Sequence, residues 1–106
     1  MTLCKRVALF GLGLVLAVPT IAVAQGSGAD IFKAKCAGCH GADGSASTGM
    51  GKTMGLKPLG SAEVQGLSDA DLTALITNGK GKMPAYKGKL SDADIGAVVK
   101  YVRTLK

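Results

Sequence analysis

Residues 36–40 read Cys36-Ala37-Gly38-Cys39-His40, and His40 is the only histidine among the 106 residues. The run places two thiols three residues apart and an imidazole directly after the second thiol. Alanine and glycine between the cysteines leave space for a flat group to approach the backbone. These five residues are therefore the candidate chemical centre of the chain.

A Cys-x-x-Cys-His run is the attachment signature of a c-type haem. From the end of a short helix, two thiols at this spacing reach the two vinyl-derived positions on one edge of a porphyrin. The imidazole that follows is delivered under the ring, towards the iron. We therefore predict one covalently bound haem c, with Cys36, Cys39 and His40 at its site.

Three other uses of the two cysteines fit the sequence less well. A thioredoxin-like redox pair belongs near a βαβ pattern, which the sequence lacks. A disulfide across three residues closes a very small loop and would contribute little chain-entropy stabilisation. A structural zinc site needs four ligands, and the chain has no second group of Cys or His residues to complete one.

The iron position opposite His40 needs a further ligand, and a methionine thioether is one such ligand. The candidates are Met50, Met54 and Met83. Met83 precedes Pro84, which disfavours helix at Met83, so the thioether projects from an extended segment. This segment lies between two predicted helices and can pass over the opposite face of the haem. We predict Met83 as the distal ligand, with Met54 as the second candidate.

The amino-terminal segment has the pattern of an export signal. Lys5 and Arg6 precede an apolar run at residues 7–18, and the small-residue triplet Ala22-Val23-Ala24 follows. A basic start, a short apolar stretch and an Ala-x-Ala site are typical of a signal peptide cleaved after Ala24. An uncleaved membrane anchor is the alternative, because weaker apolar character continues to Ala24.

Cleavage at this site defines a small mature domain. We expect residues 1–24 to be a signal peptide and residues 25–106 to be one domain, exported to the periplasm or a similar compartment. Cleavage removes Cys4 and two positive charges, so the formal net charge falls from +6 to +4. So short a chain buries little apolar surface, and a covalent porphyrin would supply the core that it lacks.

The mature chain shows helix patterns and no strand pattern. A short helix is predicted at residues 28–36. A second begins after Ser68, which forms a capping box with Asp71, and ends at Asn78-Gly79. A third begins after Ser91 and continues nearly to the end, because apolar residues recur at i, i+3, i+4 and i+7. These apolar residues are Ile95, Val98, Val99 and Val102.

Residues 41–60 are rich in Gly, Ser and Thr and are predicted as loop. Within them, residues 46–53 nearly match a phosphate-binding loop, but that motif needs a buried strand before it and a helix after it. Nucleotide binding is therefore not expected. The predicted fold is all-α, with three to four short helices around one covalently bound haem.

From Gly28 to its end, the sequence resembles the class I monohaem cytochromes c, particularly the small soluble electron carriers of bacteria and photosynthetic organisms. The matching segments are Gly28, Phe32, the Cys-x-x-Cys-His run, Asn78-Gly79-Lys80-Gly81, Met83-Pro84-Ala85-Tyr86 and the helix from Leu90 to Tyr101. The resemblance implies thioether bonds from Cys36 and Cys39, with His40 as the proximal and Met83 as the distal ligand.

The resemblance also implies that the first helix crosses the last, with Gly28 and Phe32 against Val98 and Tyr101. The sequence departs from the family at one point. Members often carry a proline soon after the haem motif, and its carbonyl can orient the proximal imidazole. The first proline after the motif here is Pro58, so another carbonyl is expected to accept from the second ring nitrogen of the proximal histidine.

Six lysines flank the two halves of the predicted site. They are Lys33, Lys35, Lys80, Lys82, Lys87 and Lys89. If both segments border the haem edge, this positive ring would steer an acidic redox protein or a membrane redox complex. Ordinary solvated lysines are the alternative. Haem propionates lower the net charge, so nucleic acid is not an expected partner.

With His40 and Met83 both on the iron, no position stays open for oxygen or substrate. The sequence therefore predicts a monomeric single-electron carrier and not an enzyme, with membrane contact only through partners or an uncleaved signal. Two alternatives stay open. One is a peroxidase-like or ligand-sensing haem protein with a labile Met83, and the other is a membrane-tethered cytochrome subunit of an oxidase or dehydrogenase.

Overall fold

The computed structural model describes residues 11–18 and 27–106. Residues 11–18 are exposed and have no regular secondary structure. Cys4 and the predicted cleavage site after Ala24 lie outside the described residues. Across the two described ranges, no helix has both the length and the apolar character needed to cross a bilayer.

Six helices form in the described part of the chain. They are α1 (Gly28–Lys35), α2 (Ala37–His40), α3 (Gly49–Thr53), α4 (Ala62–Gln65), α5 (Asp69–Asn78) and α6 (Asp92–Arg103). Extended pairing within residues 27–106 is limited to two isolated bridges, Lys80 with Met83 and Lys87 with Leu90. The all-α prediction is confirmed, and the three helices predicted from the sequence correspond to α1, α5 and α6.

Serine and threonine side chains begin five of these helices, each by accepting a hydrogen bond from a backbone N–H in the first turn. At α5, the hydroxyl of Ser68 accepts from the N–H of Asp71 at 3.0 Å, and the Asp71 carboxylate accepts from the N–H of Ser68 at 3.2 Å. The predicted capping box is thus confirmed. At α6, Ser91 accepts from the N–H of Asp94 at 3.1 Å. Each such cap stabilises its helix by about 1 kcal/mol.

Helices α1 and α6 cross in direct backbone contact at Gly28. A Cβ placed on Gly28 would lie 2.6 Å from the carbonyl carbon of Ala97, nearer still to its oxygen, and 3.2 Å from the Cβ of Tyr101. One turn along α1, the buried ring of Phe32 lies 5.1 Å from the ring of Tyr101, tilted by 54°. The predicted contact between the first and last helices is thus confirmed. The two backbones approach this closely because Gly28 has no Cβ.

The core lies on one face of α6. Every residue of the predicted apolar stripe is at most 6% exposed, and the stripe packs against Phe32 of α1 and against Leu72 and Ile76 of α5. Within the described residues, no polar or charged side chain is fully buried. The cluster is small even for a domain of this length, so it needs a further apolar partner.

The region at residues 41–60 is not loop throughout, which corrects the prediction. Helix α3 forms there because the hydroxyl of Thr48 accepts from the N–H of Gly51 at 2.9 Å and caps a turn despite the glycine content. No strand precedes α3 in residues 27–48, so the near match to a phosphate-binding loop lacks the element that it needs. The described chain has more helices than the three to four predicted, because α2, α3 and α4 are too short to show apolar periodicity.

The end of α6 is tied to the segment between α4 and α5 by Arg103. Its guanidinium donates to the carboxylate of Asp69 and to the carbonyl of Gln65, both at 2.9 Å, and to the carbonyl of Leu67. The side-chain amide of Gln65 donates in turn to the carbonyls of Leu59 at 2.8 Å and Val102 at 3.0 Å. These bonds fix the chain from Leu59 to Asp69 against α6.

Candidate functional site

A cavity of about 700 Å3 lies beside the core, and all four predicted site residues line it. Cys36, Cys39 and His40 line it from the junction of α1 and α2 and from α2 itself, and Met83 lines it from the segment between α5 and α6. The volume is within the range of cofactor sites, about 300–1,000 Å3. The fold therefore brings together four residues that belong to two distant segments of the sequence.

The walls of this cavity are mostly apolar. Core residues of α1, α5 and α6 form one part of the wall, and Leu56, Leu59, Val64 and Leu67 form another. Apolar surface removed from water stabilises a protein by about 25 cal/mol per Å2, so a flat apolar macrocycle between these walls would complete the core. The cavity therefore has room for the apolar partner that the helices lack.

Both cysteines of the predicted attachment site are free, half-buried thiols. The carbonyl of Cys36 accepts from the N–H of Cys39 at 3.2 Å and of His40 at 3.0 Å, which holds all three residues on one helical turn. Burial and then the charge of Cys39 raise the pKa of the Cys36 thiol. A thioether carries no ionisable proton, so neither sulfur would titrate once it was attached to a haem. Two free thiols on one turn fit such attachment.

The imidazole of His40 is half-buried in this site. Burial lowers its pKa, so the neutral form that binds metals is present at neutral pH. The Nδ1 atom is buried, and the described residues give it no hydrogen-bond partner. The structure therefore differs from the expectation that a carbonyl accepts from this nitrogen. Because Nδ1 is buried, Nε2 is the ring nitrogen available to an iron atom.

The loop after His40 folds back onto the turn at residues 36–40 without a proline. Ala46 donates its N–H to the carbonyl of His40 at 2.7 Å, with φ at +59°. A left-handed backbone at a residue other than glycine costs about 1 kcal/mol or more. The hydroxyl of Thr48 donates to the carbonyl of Cys39 at 2.8 Å. These two bonds hold the carbonyls of Cys39 and His40.

Met83 is held in a tight turn at the cavity. Its carbonyl accepts from the N–H of Lys80 at 3.2 Å, and its N–H donates to the carbonyl of Lys80 at 2.9 Å. Gly79 has a φ of +72°, and a Cβ on it would lie 2.6 Å from the carbonyl oxygen of Met83. Met83 is half-buried and packs against the core, so its position does not depend on a ligand alone.

The other two methionine candidates differ in position. Met50 is 54% exposed and does not line the cavity, whereas Met54 is half-buried and does line it. Met54 follows the short helix α3 directly. The structure therefore keeps Met83 and Met54 as candidate iron ligands beside the cavity. It excludes Met50 from the candidates.

Four exposed lysines line the cavity and thus mark its opening. Three of them, Lys35, Lys80 and Lys82, belong to the six predicted from the sequence. The fourth, Lys57, also pairs with the carboxylate of Glu63. Nothing in the sequence indicated Lys57, because it lies in a region that was predicted as featureless loop.

The donor set and the walls fit a haem: two thiols, a neutral imidazole and a thioether around one apolar cavity. When bound, haem supplies reversible one-electron cycling between Fe(II) and Fe(III). The chain's own contribution is to attach, ligate and surround the group. Cys36 and Cys39 would attach it, and His40 and Met83 would bind the iron.

Known proteins are similar to this chain over most of its length. Residues 23–102 match the family described as cytochrome c oxidase, cbb3-type, subunit III. Cytochrome c6 of Bryopsis maxima is 41% identical over 75 residues, which cover 71% of this chain and 84% of that protein. The cbb3-type cytochrome c oxidase subunit CcoP of Azospirillum brasilense is 36% identical over 81% of this chain but only 30% of its own length.

A solved structure shares the fold as well. The KustC0563 c-type cytochrome superposes with a TM-score of 0.70 and 32% identity, covering 76% of this chain and 98% of that one. The fold, the apolar cavity and these similarities confirm the resemblance inferred from the motifs, together with the covalent haem c. The chain belongs to the class I monohaem cytochromes c.

Proposed function

We propose that this cytochrome c is an exported single-electron carrier whose haem iron is bound by His40 and Met83. The observation that carries the proposal is the convergence of Cys36, Cys39, His40 and Met83 on one apolar cavity. His40 and Met83 would together supply an imidazole and a thioether to the iron, which would leave no position for a substrate. Electron transfer through the open, lysine-bordered side of the cavity is the function that this arrangement favours.

An anaerobic redox titration of the haem-loaded protein tests this function. We expect one reversible transition with a one-electron slope, about 59 mV per tenfold change in the ratio of oxidised to reduced protein. The spectra of both states should be those of low-spin, six-coordinate haem. Rapid turnover of hydrogen peroxide would contradict the proposal, because it needs an open iron position and would favour a peroxidase-like protein.

A membrane-tethered subunit is the second candidate function, and the similarity to the oxidase subunit of Azospirillum brasilense favours it. The two candidates differ in the fate of residues 1–24. We expect the intact mass of protein purified from its native host to correspond to a chain that begins at Gln25 and carries one haem. A mass that includes residues 1–24 would favour the tether and contradict cleavage after Ala24.

We also propose that the cytochrome is a monomer that meets an acidic redox protein or a membrane redox complex with the lysine-bordered side of the cavity. Lys35, Lys57, Lys80 and Lys82 all lie at this opening and are exposed. Clustered charge raises the encounter rate with an oppositely charged partner by about 10- to 1,000-fold at low ionic strength. The lysines would thereby orient the partner towards the open side of the cavity, through which electrons would leave the haem.

Charge reversal at the opening is expected to slow oxidation by ferricyanide, a small anionic electron acceptor. At low ionic strength, Lys80→Glu/Lys82→Glu should react about tenfold more slowly than the wild type, and added salt should remove the difference. The rates are measured by stopped-flow absorption of the ferrous protein.

A matched control for this experiment is Lys100→Glu/Lys106→Glu. Both residues are exposed, do not line the cavity, and give the same change in net charge. This variant should stay within about twofold of the wild type, since only total charge changes. Equal slowing of both double variants would show that net charge, and not the opening, governs the encounter.

A further inference from the structure

Tyr86 joins the two halves of the haem site through its side chain. Its hydroxyl donates to the carbonyl of Lys35 at 2.9 Å across 51 residues of sequence. Lys35 is the last residue of α1 and directly precedes Cys36. Tyr86 follows Met83 by three residues and lines the same cavity. The bond therefore connects the segment that carries the distal methionine to the segment that carries the attachment cysteines.

The backbone of Tyr86 is fixed at the same time to α5. Its N–H donates to the carbonyl of Ile76 at 3.0 Å, and the next residue, Lys87, donates to the carbonyl of Thr77 at 3.0 Å. The carbonyl of Tyr86 accepts from the N–H of Leu90 at 3.0 Å. Because the backbone is held in this way, the side chain has a fixed origin from which its hydroxyl reaches α1.

The carbonyl of Lys35 needs a partner, since the last carbonyls of a helix lack intrahelical donors. The tyrosine hydroxyl supplies that donor. Burial is the main cause that raises the pKa of Tyr86, so the hydroxyl keeps its proton at neutral pH. Phenylalanine at this position would retain the ring and its packing but leave the carbonyl without this donor.

We propose that Tyr86 is a positioning residue whose bond to the Lys35 carbonyl fixes the Met83 segment against the attachment segment. It thereby slows the departure of Met83 from the iron. This inference rests on the proposed ligation by Met83. It assigns to the hydroxyl a role in ligand retention that is separate from the packing of the ring.

The test compares Tyr86→Phe with the wild type in the haem-loaded ferric protein. Exogenous imidazole binds only after the methionine has left, so at saturating imidazole the binding rate reports how often Met83 departs. We expect this rate to rise about fivefold in Tyr86→Phe, the factor that corresponds to one net hydrogen bond. The far-red absorption band of methionine-ligated ferric haem should also disappear at a lower pH than in the wild type.

Tyr101→Phe is the matched control. The described residues give the Tyr101 hydroxyl no hydrogen-bond partner, and Tyr101 does not line the cavity. This variant should exchange imidazole at the wild-type rate. Guanidinium unfolding of both variants separates ligand retention from global stability, because a merely structural role would shift the unfolding midpoint without changing the exchange rate.

The outcomes distinguish this inference from the proposed function. If the wild type shows the far-red band and Tyr86→Phe exchanges imidazole at the wild-type rate, the role of Tyr86 is wrong and ligation by methionine stands. If the wild type lacks the band, methionine ligation itself fails. If the wild type shows the band and imidazole exchange is faster in Tyr86→Phe but not in Tyr101→Phe, the result supports both the role of Tyr86 and ligation by Met83.

Discussion

Replacement of Met83 by alanine is expected to open the iron to external ligands. In the wild type the thioether is held by the Lys80–Met83 turn and by packing against the core. Alanine cannot reach the iron, so ferrous Met83→Ala should bind carbon monoxide stoichiometrically at neutral pH. Methionine ligation raises the reduction potential, so its loss should lower the potential by roughly 0.1 V or more, within the 0.8 V range that axial ligands span. Absorption spectroscopy under carbon monoxide and a redox titration measure both effects.

Met54→Ala is the decisive control, because Met54 is the other methionine that lines the cavity. If Met83 is the ligand, Met54→Ala keeps the far-red band and does not bind carbon monoxide. Met50→Ala, at an exposed position away from the cavity, should leave both properties unchanged. Carbon monoxide binding by Met54→Ala together with an unchanged Met83→Ala would reverse the assignment.

Replacement of Gly28 by valine is expected to destabilise the fold strongly at the α1–α6 crossing. A side chain at this position would overlap the carbonyl of Ala97, which belongs to the backbone of α6 and cannot rotate away. The two helices would have to separate, and the ring contact between Phe32 and Tyr101 would be disturbed with them. We expect the free energy of unfolding to fall by about 3 kcal/mol, at the upper end of overpacking costs.

The comparison with Gly96→Ala makes this prediction specific to the crossing. Gly96 lies on α6 beside Ala97, and a Cβ there would have no neighbour within 4 Å. Alanine in a helix interior is favoured over glycine by about 0.5–1 kcal/mol, so this variant should be more stable than the wild type. Each kcal/mol corresponds to about 4–8 °C in the thermal midpoint of a domain of this size. Equal midpoints for Gly28→Val and the wild type would show that the helices do not meet at Gly28.

Features fixed by short-range chemistry were predictable from the sequence. The cap of α5 depends only on Ser68 and its neighbour Asp71, and the buried face of α6 depends on the spacing of four apolar residues. The attachment motif likewise lies within five consecutive residues. In each case, the interacting groups are at most a few helical turns apart, so residue types and spacing suffice.

Features that depend on contacts between distant segments were not predictable in the same way. Helix α3 forms in a glycine-rich region because Thr48 caps it and also bonds to Cys39, nine residues earlier. The choice between Met83 and Met54 cannot be made by placement at the cavity alone, since both line it. The hydroxyl of Tyr86 meets Lys35 across 51 residues, and no local pattern indicates such a pair.

The central proposal is that His40 and Met83 would both bind the haem iron, which leaves electron transfer as the function. Exposure of the ferrous, haem-loaded wild-type protein to carbon monoxide at neutral pH tests it most directly. We predict an unchanged absorption spectrum over the time in which ferrous Met83→Ala is fully converted. Ready formation of a carbon monoxide complex by the wild type would contradict the account, because it would show an iron position that Met83 does not hold.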